Sequence, residues 1–166
     1  MNYAELREYD VTNGPGVRVS LFVSGCHLGC KGCFNEKAQS FSYGKRFTQS
    51  TLNKILKIAD LDRISGLSLL GGDPFAPENT EQVYEICKSF KEQNPKKTIY
   101  CWTGYLIDDL VKRTDEYTLK ILELIDTLID GPFVLEKKDL RLRLRGSSNQ
   151  RILHKKDIAL WLKHKE

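Results

Sequence analysis

The chain predicts an α/β fold, an incomplete βα barrel built mostly of parallel strands. Three observations carry that prediction. Short β-branched or apolar runs alternate with amphipathic helical stretches, as parallel βαβ units require. Each apolar run ends in a turn marked by glycine or proline. The length of 166 residues suits one compact domain and is short for a closed eight-stranded barrel.

In chain order, VRVSLFV at 17–23 reads as the first strand, after a turn at Gly14-Pro15-Gly16. Residues 24–48 are glycine-rich and aperiodic, a loop long enough to suggest a function. A helix follows, capped by Ser50 or Thr51, with Leu52, Ile55, Leu56 and Ala59 on one face. GLSLL at 66–70 is a buried strand ending in Gly71-Gly72-Asp73-Pro74, and a helix over 78–92 is capped by Asn79 or Thr80. TIYCW at 98–102 is the third strand. A helical stretch over 106–124 is broken near Thr114-Asp115, and DTLID at 126–130 is the fourth strand. Right-handed crossovers would gather every loop that follows a strand at one edge of the sheet, where α/β folds place their sites.

From about residue 134 the βα rhythm stops. This C-terminal extension holds ten Lys/Arg against four Asp/Glu and accounts for the net charge of +4. Its LRLRLRG run alternates like a strand, and residues 158–165 suit a short helix. Arg141, Arg143 and Arg145 would form a basic face, either a guarded sheet edge or a docking surface. Nothing beyond charge points to nucleic acid. No apolar leader and no run of membrane-spanning length is present, so a single cytoplasmic domain over 1–166 is the expectation.

Three of the five cysteines, Cys26, Cys30 and Cys33, stand in a C-x3-C-x2-C run after the first strand. An odd cysteine count without a secretory signal points to metal or redox chemistry. Thiolates bind iron-sulfur clusters strongly, and three ligands leave one iron of a cubane open. The rival is structural zinc in an interaction module, which needs a fourth ligand. His27 adjoins Cys26 and is poorly placed to supply it, whereas Cys87 and Cys101 read as core residues. Elsewhere, Arg18 lies among apolar residues and needs a carboxylate partner, from a cofactor or from the fold. Asn35 is placed to tie its loop to nearby backbone, and Thr103 and Tyr105 fall at the same sheet edge.

The run Gly14-x-Gly16-x-Arg18-x3-Phe22-x2-Gly25-Cys26-x3-Cys30-x2-Cys33-x-Asn35 resembles the signature of the glycyl-radical-activating enzymes within the radical S-adenosylmethionine superfamily. Lys31-Gly32, Gly71-Gly72-Asp73-Pro74 and Trp102-Thr103-Gly104-Tyr105 are most similar to the group that serves anaerobic ribonucleotide reductase, with a further match over 145–151. Leu70 departs from the Ser or Thr common in the wider superfamily and leaves open how the Gly-Gly loop is braced.

The resemblance implies a 4Fe-4S cluster on Cys26, Cys30 and Cys33, with S-adenosylmethionine on the open iron. It also implies a 5′-deoxyadenosyl radical that abstracts hydrogen from a glycine of the large reductase subunit, and a one-electron donor such as flavodoxin or ferredoxin. On that basis the Gly71 and Gly72 carbonyls and Asp73 would meet the methionine ammonium, Gly32 and Phe34 the adenine, and Arg18 a cofactor carboxylate. A small radical enzyme acting on another glycyl-radical protein or on a small molecule is the nearest alternative.

Overall fold

The computed structural model describes residues 1–165. Strand β1 (Asn2–Asp10) leads through the glycine turn into β2 (Val17–Val23). After the long loop come β3 (Lys45–Arg46), α1 (Gln49–Ala59), β4 (Ile64–Gly71), α2 (Thr80–Gln93) and β5 (Thr98–Trp102). A short helix α3 (Ile107–Leu110) and α4 (Thr118–Leu124) precede β6 (Thr127–Asp130), and the chain closes with β7 (Arg151–His154) and α5 (Lys155–Lys163). Among the described residues no helix is long and apolar enough to cross a membrane.

All seven strands form one mixed sheet in the order β3-β1-β2-β4-β5-β6-β7. The four strands expected from the sequence make its parallel centre, β2-β4-β5-β6. Antiparallel β1 and β7 flank that centre, with β3 outside β1. The sheet has two unlike faces, because successive side chains along a strand point to opposite sides. Val19, Leu21, Val23, Leu67, Leu69, Ile99 and Cys101 form one apolar core with Leu52 and Ile55 of α1, Ile86 and Phe90 of α2, and Ile121 of α4. The alternate positions Phe22, Leu70 and Trp102 face a cavity on the other side.

Several expectations are corrected. The LRLRLRG run is not a strand; residues 140–146 form turns, Leu144 takes a left-handed φ of 62°, and the sheet edge beside β6 belongs to β7. Alternation misled there because Leu140, 80% exposed, has no sheet face to pack on. Helix α1 is capped by Thr48, which forms a reciprocal capping box with Thr51. Asn79 does stand at the start of α2, but its side chain bonds elsewhere. Helix α5 begins at Lys155, three residues before the expected start. Strands β1 and β7 were not foreseen, since NYAELREYD is charged and half-exposed and β7 has four residues.

Arg18 is fully buried on the cavity side of β2, yet its partner is not a carboxylate. Its guanidinium donates to Ser68 Oγ, Thr98 Oγ1 and the carbonyls of Pro15, Leu67 and Thr98, and lies 4.6 Å from the Tyr100 ring centroid. Burial lowers its pKa to about 10, so it stays charged at neutral pH. Glycine is required at position 66, where a Cβ would collide with the Thr98 carbonyl oxygen and crowd the Arg18 guanidinium.

Two charge arrangements hold the ends of this frame. At the end of β1, Asp10 accepts from Thr12 N, Thr12 Oγ1 and Asn13 Nδ2, forming the turn into β2. Burial pushes its carboxyl up, but these donors outweigh burial and hold it at about 2. Arg151 of β7 grips the fully buried Asp130 with Nε at 2.9 Å and Nη2 at 2.6 Å, and the same Nη2 reaches Asp108 at 2.7 Å.

Because the folded pKa of Asp10 is depressed, its contribution is present above the ordinary carboxylate value and lost as pH falls through about 2. Chemical denaturation at pH 5 and pH 2 should therefore show Asp10→Asn losing about 2 kcal/mol less stability across that interval than the wild type. Arg151→Leu leaves the Asp130 carboxylate buried without its partner and should lower unfolding free energy by about 3 kcal/mol. An unchanged denaturation midpoint would refute that role for Arg151.

Candidate functional site

The loop after β2 is tied down at its base before it reaches the cysteines. Gly25 N–H donates to Ala38 O at 2.7 Å, Cys26 N–H to Gln39 O at 3.0 Å, and Ser24 Oγ to Tyr43 O at 2.8 Å. Cys26, Cys30 and Cys33 are half-buried free thiols lining one cavity of about 430 Å³, a volume suited to a small-molecule ligand. Backbone amides already point at two of the sulfurs: Leu28 N–H at Cys26 Sγ, 3.5 Å, and Asn35 N–H at Cys33 Sγ, 3.4 Å. Burial raises the Cys26 pKa, as does the negative charge of Asp73, Cys30 and Cys33, while the Leu28 amide opposes it.

Among the described residues no three His, Cys, Asp or Glu side chains stand close enough to hold a single metal ion. Nor does the fold bring a fourth protein ligand to the triad. The Nε2 of His27 lies 2.8 Å from the Glu78 carboxylate, and its ring packs on Phe41. Cys87 and Cys101 lie in the helix-side core, where burial pushes the Cys87 thiol up to about 12 and Cys101 well above its usual value. A soft three-thiolate set beside a ligand-sized cavity fits a cluster with one iron open to a further ligand.

The Gly71-Gly72-Asp73 loop runs directly against the cysteine loop. Gly72 N–H donates to Val23 O at 2.7 Å and Asp73 N–H to Gly25 O at 2.8 Å. Gly71 has a φ of 107°, which favours glycine, and a Cβ on Gly72 would stand within 2.7 Å of Gly25 and Ala38 backbone atoms. Asn35 Nδ2 donates to Gly71 O, and Asn79 Nδ2 donates to both Ser24 O and Asp73 O. These amides brace the loop that Leu70 left unexplained; the Leu70 side chain lines the cavity.

Asp73 is buried and forms part of the cavity lining. Its Oδ1 accepts from Thr103 Oγ1 at 2.8 Å and Phe75 N at 2.9 Å, and Oδ2 from Gly104 N at 2.9 Å. Burial pushes its pKa up to about 6, against the pull of these donors and of the Arg113 charge. The expected ligand-facing carboxylate is thus engaged in joining two loops. Phe34 is 56% exposed, lines the cavity and packs on Phe133 with ring centroids 4.9 Å apart, while Gly32 sits beside Leu135 with a φ of 76°. Arg18 does not line the cavity.

Residues 145–151, unexplained by the sequence, close the far wall. Gln150 Nε2 donates to Gly131 O, and its Oε1 accepts from the amides of Gly146 and Ser147. Asn149 Nδ2 donates to Pro132 O, and Ser147 Oγ accepts from Val134 N. Sequence reasoning also missed Arg7, Asn13, Phe22 and Trp102 as wall residues. Phe22 and Trp102 were detectable in principle, as large apolar residues out of phase with the core-facing positions of their strands.

Comparison with known proteins agrees with this geometry. Residues 12–153 match the family model of a 4Fe-4S single cluster domain. The chain is 45% identical over 159 residues to the anaerobic ribonucleoside-triphosphate reductase-activating protein of Vibrio cholerae, covering 93% of this chain and 98% of that protein. It is 38% identical over 156 residues to the Escherichia coli K12 protein of that name, covering 93% and 99%. The corresponding protein of Enterobacteria phage T4 is 37% identical over 161 residues, covering 97% and 98%. A match to the cluster domain over most of the chain and relatives 37–45% identical over nearly their whole length together show that this chain belongs to the family of anaerobic ribonucleoside-triphosphate reductase-activating proteins.

Proposed function

We propose that this protein activates an anaerobic ribonucleotide reductase by generating a glycyl radical on its large subunit. The observation that carries this reading is that three free thiols and the Gly71-Gly72 loop line one cavity. When bound, a 4Fe-4S cluster would supply the electron that cleaves S-adenosylmethionine to methionine and a 5′-deoxyadenosyl radical, the species that takes hydrogen from the glycine.

Cys26, Cys30 and Cys33 hold the cluster in this reading, and the amides of Leu28 and Asn35 steady two of the sulfurs. The Gly71-Gly72 backbone receives the methionine end of the cofactor, one lone pair of Gly71 O being taken by Asn35. Gly32 and Phe34 receive the adenine, Phe34 through its partly exposed ring. Asp73 acts by fixing Thr103 and Gly104 in the wall, and Arg18 by bolting β2 to β4 and β5. The cavity face of the sheet serves as the inside of an incomplete barrel, and the chain works as one domain whose basic extension supplies a wall and an edge strand. Five free thiols suit a reducing, cytoplasmic setting with a flavodoxin or ferredoxin as electron donor.

Anaerobically purified protein should be brown, with about four irons per chain. Replacing any one of Cys26, Cys30 or Cys33 by Ala should abolish both the intact cluster and cofactor cleavage. Cys87→Ala and Cys101→Ala should keep the iron. A colourless protein carrying one zinc would sink the reading. Mixing reduced protein, S-adenosylmethionine and the large reductase subunit should give a glycyl radical by electron paramagnetic resonance. Cofactor cleavage without that radical would redirect the assignment to a different substrate.

A further inference from the structure

Residues 138–147 cross the open face of the sheet as a strap. Its ends are joined by a bridge between Lys138 and Ser147 and by Asp139 N–H donating to Gly146 O. Its middle hangs from the cavity through Trp102 Nε1–H to Leu144 O at 2.7 Å. Leu140, Leu144, Arg145 and Gly146 line the cavity.

The strap carries more donors than the fold uses. Leu142 N–H donates to Asp139 O and Arg141 N–H to the Asp139 carboxylate, but the amides of Leu140, Arg143, Leu144 and Arg145 donate to nothing among the described residues. Arg145 Nη1 donates to Gln150 O at 3.1 Å, while its buried Nε meets no acceptor among the described residues. Leaving a buried donor unsatisfied costs about 1–3 kcal/mol, and native structures keep few such groups. The buried, unpartnered Arg145 Nε–H, with solvent-accessible amides beside it, complements a ligand that brings carbonyl acceptors. A glycine offers no side chain to grip, so a site acting on its α-carbon holds it through the flanking peptide groups and the side chains of its neighbours.

We propose that residues 140–145 are the docking element for the glycine-bearing backbone of the substrate protein, with Arg145 Nε–H donating to one of its peptide carbonyls. The exposed Leu140 at the rim covers an apolar neighbour of that glycine. This inference rests on the proposed activation of a glycyl-radical protein and adds to it the surface that recognises the polypeptide.

The test compares wild type with Arg145→Lys and Arg145→Gln, all cluster-loaded, by radical yield against concentration of the large reductase subunit. Lysine keeps the charge but cannot present the Nε–H. Both variants should raise the half-maximal concentration about tenfold, the size expected for one charge-assisted hydrogen bond, with thermal midpoints and S-adenosylmethionine affinity near wild type. Unchanged reductase dependence overturns the proposal. So does weaker cofactor affinity alone, which would assign the acceptor to the cofactor. In the wild type, adding the large subunit should slow hydrogen exchange at the 140–145 amides, and no slowing would also overturn it. A wild type that yields no radical with the reductase is instead a failure of the functional reading.

Discussion

The site depends on a backbone clamp between two loops. The Gly72 and Asp73 amides bind the carbonyls of Val23 and Gly25, continuing the pairing of β2 with β4 beyond the ends of the strands. Side chains are excluded from this contact because any Cβ at Gly72 would collide with backbone. Cys26 follows Gly25 directly, so the position of the first thiol is inherited from the sheet. The remaining loops join this clamp through Asp73, which links it to Thr103 and Gly104, and through Asn35 and Asn79.

The two faces of the sheet meet different demands. Helices cover one face with a continuous apolar core, while the other keeps Arg18, Ser68 and Tyr100 at one end and Phe22, Leu70 and Trp102 at the cavity. Burying a guanidinium without a carboxylate is tolerable because five oxygen acceptors and an aromatic face replace water. Its bonds reach across β4 to β5, so the charge works as a rivet through three strands. The rivet is not part of the cavity lining.

Much of this was legible in the sequence, for identifiable reasons. Val17–Val23 and Thr98–Trp102 match their strands because buried parallel strands are dense in β-branched and aromatic residues. The cysteine run and the Gly-Gly-Asp loop stood out by residue type, and the structure brings them to one cavity. Edge elements were not. Strand β1 alternates charged and apolar residues over a half-exposed surface, and β7 depends on Arg151 meeting Asp130 across 21 residues. The link from Asp73 to Thr103 and Gly104 was hidden for a related reason: a carboxylate beside glycines looks the same in sequence whether or not it also joins a neighbouring loop.

The Arg151 grip on Asp130 also has a temporal meaning. The cysteines lie near the start of the chain, but the wall opposite them is held by residues 145–151, close to its end. During synthesis the thiols emerge early and stay uncovered until the last strand pairs with β6. The pocket is therefore completed only after residues 145–151 have been made.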